Sequence, residues 1–186
     1  MLGKFKTIAG KVAIFCLLAL VSSCGTKSVL LYENEKPELN LEKFFSGNTV
    51  GWGVVQDRSG EILKRFKVDI KGSFSANEGK LVEDFEWSDG KRETRIWYLK
   101  KENDLTWTGE AENVIGVAFG QLSGNTLKWQ YLYNLELENS LVQSISVNFE
   151  DWMYLLDENI LLNQATFSKY GIRLGSVTIT FTKSLP

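Results

Sequence analysis

The chain has 186 residues, a formal net charge of −2, no histidine, and two cysteines, Cys16 and Cys24. A length of this order favours one domain. Without histidine there is no Ser-His-Asp triad, no Cys-His pair and no zinc site with histidine ligands, and the mildly acidic balance argues against nucleic acid as a partner.

The first 23 residues read as a secretory signal. "MLGKFKTIAGK" carries Lys4, Lys6 and Lys11 and no acid, "VAIFCLLALV" (12–21) is wholly apolar, and "SSC" follows. The apolar run is ten residues long, and a membrane-spanning helix needs about 20, so the segment is expected to target the chain and not to span a bilayer. "LVSSC" resembles the lipobox of bacterial lipoproteins: Val21, two small residues, then Cys24. That resemblance implies cleavage before Cys24, a diacylglycerol thioether on its sulfur and an acyl chain such as palmitate on its nitrogen. One acyl chain binds a membrane only marginally, and stable anchoring needs at least two. Gly25 follows the cysteine where an inner-membrane sorting rule would have Asp, so the expected location is the periplasmic face of the outer membrane. Cys16 leaves with the signal and Cys24 is acylated, so no thiol remains for catalysis, zinc ligation or a disulfide. Loss of the three signal lysines takes the formal charge from −2 to −5.

"GTKSVLLYENEKPELN" (25–40) is mixed and polar and reads as a tether, so that residues 24–40 form a lipidated N-terminus and 41–186 the folded domain. "LNLEKFFSG" predicts a short helical turn with Leu41, Phe44 and Phe45 on one side and Gly47 as its stop. From Thr49 onward the period is two. In "RFKVDIKGSF", Phe66, Val68, Ile70 and Phe74 share one face, and Arg65, Lys67, Asp69 and Lys71 the other. "ETRIWYLK" is strand-like, and "LKWQYLYNLEL" puts Leu127, Trp129, Tyr131, Tyr133, Leu135 and Leu137 on one face. "SVTITFT" alternates Val177, Ile179 and Phe181 with threonines. The turn signals "DRSG", "NEG", "SDGK", "KEND", "SGN" and "ENS" separate these runs at short intervals.

The patch "FEDWMYLLDENILLNQATFSKYG" (149–171) fits a helical spacing through Phe149, Trp152, Met153 and Leu156. Strand-like "SISVNF" runs into it and "IRLGSVTITF" leaves it. It is therefore read as a hairpin turning at Asp157-Glu158-Asn159, apolar on both faces because both are buried, and backed by the turn at 41–45. No crossover helices exist, which disfavours parallel pairing. The expected fold is all-β: a single antiparallel up-and-down barrel of about ten strands, preferred to a sandwich because the hairpins are short and consecutive and closure removes exposed edges.

"GWGVVQDRSGEILKRFKVDIKG", "TRIWYL" and "NFEDWMYLLDENILLNQATFSKYGIRLGSVTITF" together resemble a bacterial lipoprotein family filed as a domain of unknown function. The resemblance covers about Glu35 to Phe181 and implies a lipocalin-like (calycin-like) barrel. Gln164 stands where the family's usual form has Arg. The resemblance supplies no activity and no active-site residues.

Candidate site residues follow from the faces. Trp87, Trp97, Trp107, Trp129, Tyr131 and Trp152 would either fill a solid core or line a cavity, and Tyr154 joins Trp152 as a residue to place. Arg95 and Arg173 lie in strands near aromatics, where an arginine either binds a ligand carboxylate or points outward. Glu83 falls on the face opposite Asp84 and Glu86, and all three read as solvated. Asp57 and Arg58 of "QDRSG" read as a hairpin closure. "GVAFGQLSG" lacks the Lys-Ser/Thr of a phosphate loop. The leading expectation is a non-enzymatic module, with no cofactor or metal, that binds an apolar or amphiphilic molecule such as a fatty acid or lipid, with Arg or Tyr at the mouth. An envelope scaffold binding an unidentified protein is the alternative, and a lipid-acting enzyme ranks third.

Overall fold

The computed structural model describes residues 27–137 and 141–183. Cys24, the signal and the "ENS" turn at 138–140 lie outside the described residues. A 3-10 turn, Val29–Tyr32, and a short helix α1, Leu41–Phe45, precede ten strands: β1 Gly47–Asp57, β2 Ile62–Ser75, β3 Glu78–Trp87, β4 Arg92–Asn103, β5 Thr106–Ala111, β6 Val114–Ser123, β7 Thr126–Glu136, β8 Ser144–Asp157, β9 Ile160–Lys169 and β10 Ile172–Lys183. Each strand pairs antiparallel with its neighbours in sequence, and β1 pairs with β10 from Thr49↔Lys183 to Asp57↔Gly175, so the sheet closes into a ten-stranded barrel.

The hairpins form where the sequence places its turn residues. Asp57 Oδ1 accepts from the backbone N–H groups of Ser59 (2.8 Å) and Glu61 (3.0 Å), so "QDRSG" closes the β1–β2 hairpin. Asp157 Oδ1 accepts from those of Asn159 (2.7 Å) and Ile160 (2.9 Å), which makes Asp157-Glu158-Asn159 the β8–β9 turn. Strand alternation sets the two faces. Phe66, Val68 and Ile70 of β2 are buried inside, while Arg65, Asp69 and Lys71 face solvent. Charges on the outer wall are the reverse of a lipid-facing barrel, whose outward band is apolar.

The two ends differ. α1 closes one end. Asn40 caps it, its Oδ1 accepting from Lys43 N at 2.8 Å. Leu41, Phe44 and Phe45 are buried, and Phe45 packs edge-on against Phe181 with ring centroids 5.8 Å apart. The helix sits so close to β2 that a Cβ on Gly72 would lie 1.8 Å from the Phe45 carbonyl oxygen. Around this plug, Leu127, Leu161, Val68 and Trp107 form the tightest part of the core. Each such side chain contributes about 1.5–3 kcal/mol.

Two expectations need correction here. The part of the tether that is described, from Lys27 to Asn40, packs on the barrel. Val29 and Leu39 are buried, Leu39 N donates to Gly124 O at 2.9 Å, and a Cβ on Gly124 would meet the Tyr32 carbonyl at 1.8 Å. Its apolar residues outweigh its polar composition because the outer wall at β6–β8 offers them a surface. On the outer face of the 149–171 hairpin, Trp152 and Tyr154 meet Tyr32 of the 3-10 turn and not α1, which lies across the barrel end, while Gln164 and Thr166 are exposed. Both faces are buried at Trp152, but Leu156 near the turn remains exposed.

Gly72→Ala should force α1 off β2. A loss of about 1–3 kcal/mol is expected, read as a fall of several degrees in Tm by circular dichroism, with the exposed neighbour Ser73→Ala within about 0.5 kcal/mol of the parent.

Candidate functional site

Ten strands make a barrel wider than its own side chains can fill, and small barrels of about eight strands already hold a ligand or a packed core. The interior here is not solid. A cavity of about 720 Å³ runs from α1 to the opposite rim. Leu41, Phe45, Val68, Ile70, Leu81 and Phe181 form its floor, and Lys64, Lys91, Glu112 and Glu136 reach it at the rim. All six residues of the alternating β7 set, from Leu127 to Leu137, lie along it.

Aromatic rings build much of the wall. Tyr131, Phe149 and Phe167 lie on three successive strands and stack in a ribbon, with centroids 5.1 Å and 5.3 Å apart. Opposite it, Phe85 and Trp87 stack at 5.9 Å and Phe66 tilts against both. Trp97 meets Trp129 edge-on at 5.7 Å and Tyr131 at 5.4 Å.

A polar band interrupts this wall part-way along the barrel. Glu83 sits between Leu81 and Phe85 on the inner face of β3, and pairs in register with Arg95 of β4. The Arg95 guanidinium lies 4.9 Å over the Phe85 ring and 5.5 Å from that of Tyr133, and its Nη2 reaches Glu93 Oε1 at 3.4 Å. Asp151 of β8 lies beside the Tyr131 hydroxyl and the Asn163 amide, both of which favour its charged form as hydrogen-bond donors do. Asp151 is 5% and Asn163 4% exposed. Burial dominates the electrostatics of this band. It pushes the Glu83 carboxyl up to about 7, with Arg95 opposing and Glu93 adding to the rise. It pushes Asp151 up to about 7 as well, against the hydrogen bonds from Tyr131 and Asn163 and the charge of Arg95. Tyr131 is also raised, by burial and by the neighbouring Asp151. Among the described residues, two buried side-chain polar atoms have no hydrogen-bond partner, Trp87 Nε1 and Asn163 Oδ1. Among the described residues, no group of three or more acidic or cysteine side chains is placed to hold a metal ion.

Of the residues the sequence singled out, Trp87, Arg95, Trp97, Trp129 and Tyr131 line the cavity together. Three do not. Trp152 and Tyr154 fall on the even-numbered, outward positions of β8, since its inward positions are Phe149, Asp151, Met153 and Leu155. Their rings, with Tyr32, surround the Lys27 ammonium, which lies 4.4 Å from the Trp152 ring and 4.9 Å from that of Tyr154. Trp152 Nε1 donates to Glu150 at 2.8 Å. Arg173 is exposed beside the β10 bulge between Arg173 and Gly175 and does not line the cavity. Trp107 is packed into solid core at 2% exposure. Gln164 faces solvent.

Three residues of the polar band escaped the sequence reading. Glu83 was grouped with the solvated Asp84 and Glu86, although it shares the parity of Leu81 and Phe85, which marks it as inward. Asp151 and Asn163 lie in a hairpin apolar on both faces, where alternation carries no signal. The mouth position expected for Arg or Tyr is also corrected: Arg95 and Tyr131 lie within the barrel, flanked toward the closed end by Trp97 and Trp129.

Glu83 and Asp151 bind protons more tightly in the folded chain than in the unfolded one. Their contribution is thus complete below the ordinary carboxyl values of 4.5 and 3.8 and is lost as pH rises toward about 7. The loss is at most about 3–4 kcal/mol per group, less where water enters the cavity. Thermal unfolding should give a higher Tm at pH 5 than at pH 8, and Glu83→Gln or Asp151→Asn should each flatten that dependence.

Comparison with known proteins adds the following. By structure the chain is similar to the S-type phycobiliprotein lyase CPES from Guillardia theta, with a TM-score of 0.59 and 8% identity over 87% of this chain and 99% of that one. It is also similar to Rv2717c from M. tuberculosis, with a TM-score of 0.54 and 10% identity over 82% of this chain and 100% of that one. At such identities the likeness is one of fold, the lipocalin-like barrel. No curated protein matches by sequence. The family model described as "Protein of unknown function (DUF3833)" matches residues 18–183, and the chain belongs to that family.

Proposed function

We propose that the barrel binds an apolar or amphiphilic small molecule in its interior, of the size of a fatty acid or related lipid. One observation carries this reading: a continuous cavity of about 720 Å³, walled by stacked aromatic and aliphatic side chains and crossed by a single buried polar band. Ligand sites commonly occupy about 300–1,000 Å³, are mostly apolar, and use a few fixed polar groups for orientation. Burial of the ligand's apolar body supplies affinity at about 25 cal/mol per Å².

The same reading places the barrel on a membrane through acylated Cys24. The physical support is the lipobox-like "LVSSC" together with the docked N-terminal segment. Cys24 lies three positions before Lys27, at most about 10 Å of extended chain. Lys27 is held beside Tyr154, three residues before the β8–β9 turn at the closed end. An anchor at Cys24 keeps that end nearest the bilayer and the cavity mouth on the far side.

A second reading is supported by one observation. Glu83 and Asp151, both near 7, face the cavity beside Tyr131, as general acid–base chemistry requires. An enzyme acting on the bound amphiphile would use these groups. Binding ranks first because the Asp151 carboxylate is already engaged by Tyr131 and Asn163.

Native mass spectrometry of the chain purified gently from membranes should show a co-purifying lipid-sized mass, and amphiphiles should quench tryptophan fluorescence. Ala165→Phe, which fills the cavity from β9, should abolish both while keeping the fold. Absence of any lipid or quenching in the parent would overturn the binding reading, and release of a chemically altered ligand would favour the enzyme. Cys24→Ser should lose palmitate labelling and move the protein from the membrane to the soluble fraction.

A further inference from the structure

The polar band has a surplus of acceptors. Asn163 is 4% exposed and lines the cavity, and its Oδ1 has no hydrogen-bond partner. Its orientation follows from its neighbour: Asn163 favours the charged form of Asp151, as only a donor does, so the nitrogen end faces the carboxylate and the unpartnered oxygen is left over. The Tyr131 hydroxyl is also directed at Asp151. Asp151 and Asn163 are diagonal neighbours on the inner face, since Asp151 pairs with Ala165 and Met153 with Asn163. Protein donors thus converge on one carboxylate, and the adjoining amide oxygen is unmet. A buried acceptor without a partner carries a desolvation penalty that an incoming donor removes.

The charges agree. Glu83, Glu93 and Asp151 border the cavity together with one guanidinium, Arg95, and the nearest anion to that guanidinium is Glu93 at 3.4 Å. The cavity rim adds Lys64 and Lys91 against Glu112 and Glu136, with no net sign. A ligand carboxylate entering this band would meet an excess of anions among the described residues, with the Arg95 guanidinium already facing an acid.

Resting on the reading that the barrel binds an amphiphile, we propose that the ligand's polar end is a hydrogen-bond donor, a hydroxyl or an ammonium. It is seated on Asn163 Oδ1 beside Asp151, and a carboxylate head is selected against.

The test is a matched series of decanol, decylamine and decanoate titrated at pH 8 against the purified full-length chain, read by tryptophan quenching. Decanol or decylamine should bind about tenfold more tightly than decanoate, the upper range of one net hydrogen bond. Which of the two binds better distinguishes a neutral from a cationic head. Asn163→Leu, which keeps the volume and removes the acceptor, should erase most of the preference without abolishing binding. Decanoate binding as tightly as the other two, or a preference unchanged in Asn163→Leu, would overturn the inference and leave the binding barrel standing. No binding by any of the three would overturn both. The ranking of the three amphiphiles is read on the unaltered chain, so that arm of the test does not hinge on the folding of a variant.

Discussion

Pairing of β1 with β10 is the constraint on which the rest of the structure depends. It converts ten consecutive hairpin strands into a closed wall and leaves no sheet edge among them. Closure also sets the diameter, and with ten strands the side chains that fill the closed end do not meet farther up. The cavity is a consequence of strand number, not of missing side chains. α1 is the second element required, because an open tube would expose the floor residues. The contact between Phe45 and the bare backbone at Gly72 lets one turn of helix act as a stopper.

Inside such a tube the energetics of polar groups are set by what the wall supplies. Glu83, Arg95, Tyr131, Asp151 and Asn163 come from five strands, and only closure brings them to one band. Two carboxyls pushed to about 7 and an unpartnered amide oxygen cost stability. A fold whose interior needed only to be stable would be better served by leucine at these positions. Under the binding function proposed above, a ligand would recover part of that cost.

The outer wall has its own device. Lys27 is clasped by Tyr32, Trp152 and Tyr154, and the N-terminal segment continues across the β6–β7 turn to Leu39. Aromatic residues that looked suited to a ligand pocket instead hold the chain's own cation, an attraction worth about 0.5–2 kcal/mol. The segment expected to be a loose tether is thereby part of the domain, which shortens any linkage between the barrel and residue 24.

Much of the architecture was legible before any coordinates. Alternation in "RFKVDIKGSF" and "LKWQYLYNLEL", with Asx-type turns between the strands, determined antiparallel hairpins, because a two-residue period can satisfy a one-sided core only as strand. The turn at Asp157–Asn159 and the helix at Leu41–Phe45 were readable for the same local reason. Tertiary structure decided the rest. In "FEDWMYLLDENILLNQATF" both faces are apolar, so parity alone does not tell inside from outside. Closure put Asp151 and Asn163 within and turned Trp152 and Tyr154 outward against the N-terminal segment. Glu83 is a different case: its parity with Leu81 and Phe85 already marked it as inward, and tertiary structure decided only that this face meets a cavity. Local spacing determines which residues share a face; only long-range pairing determines what that face meets.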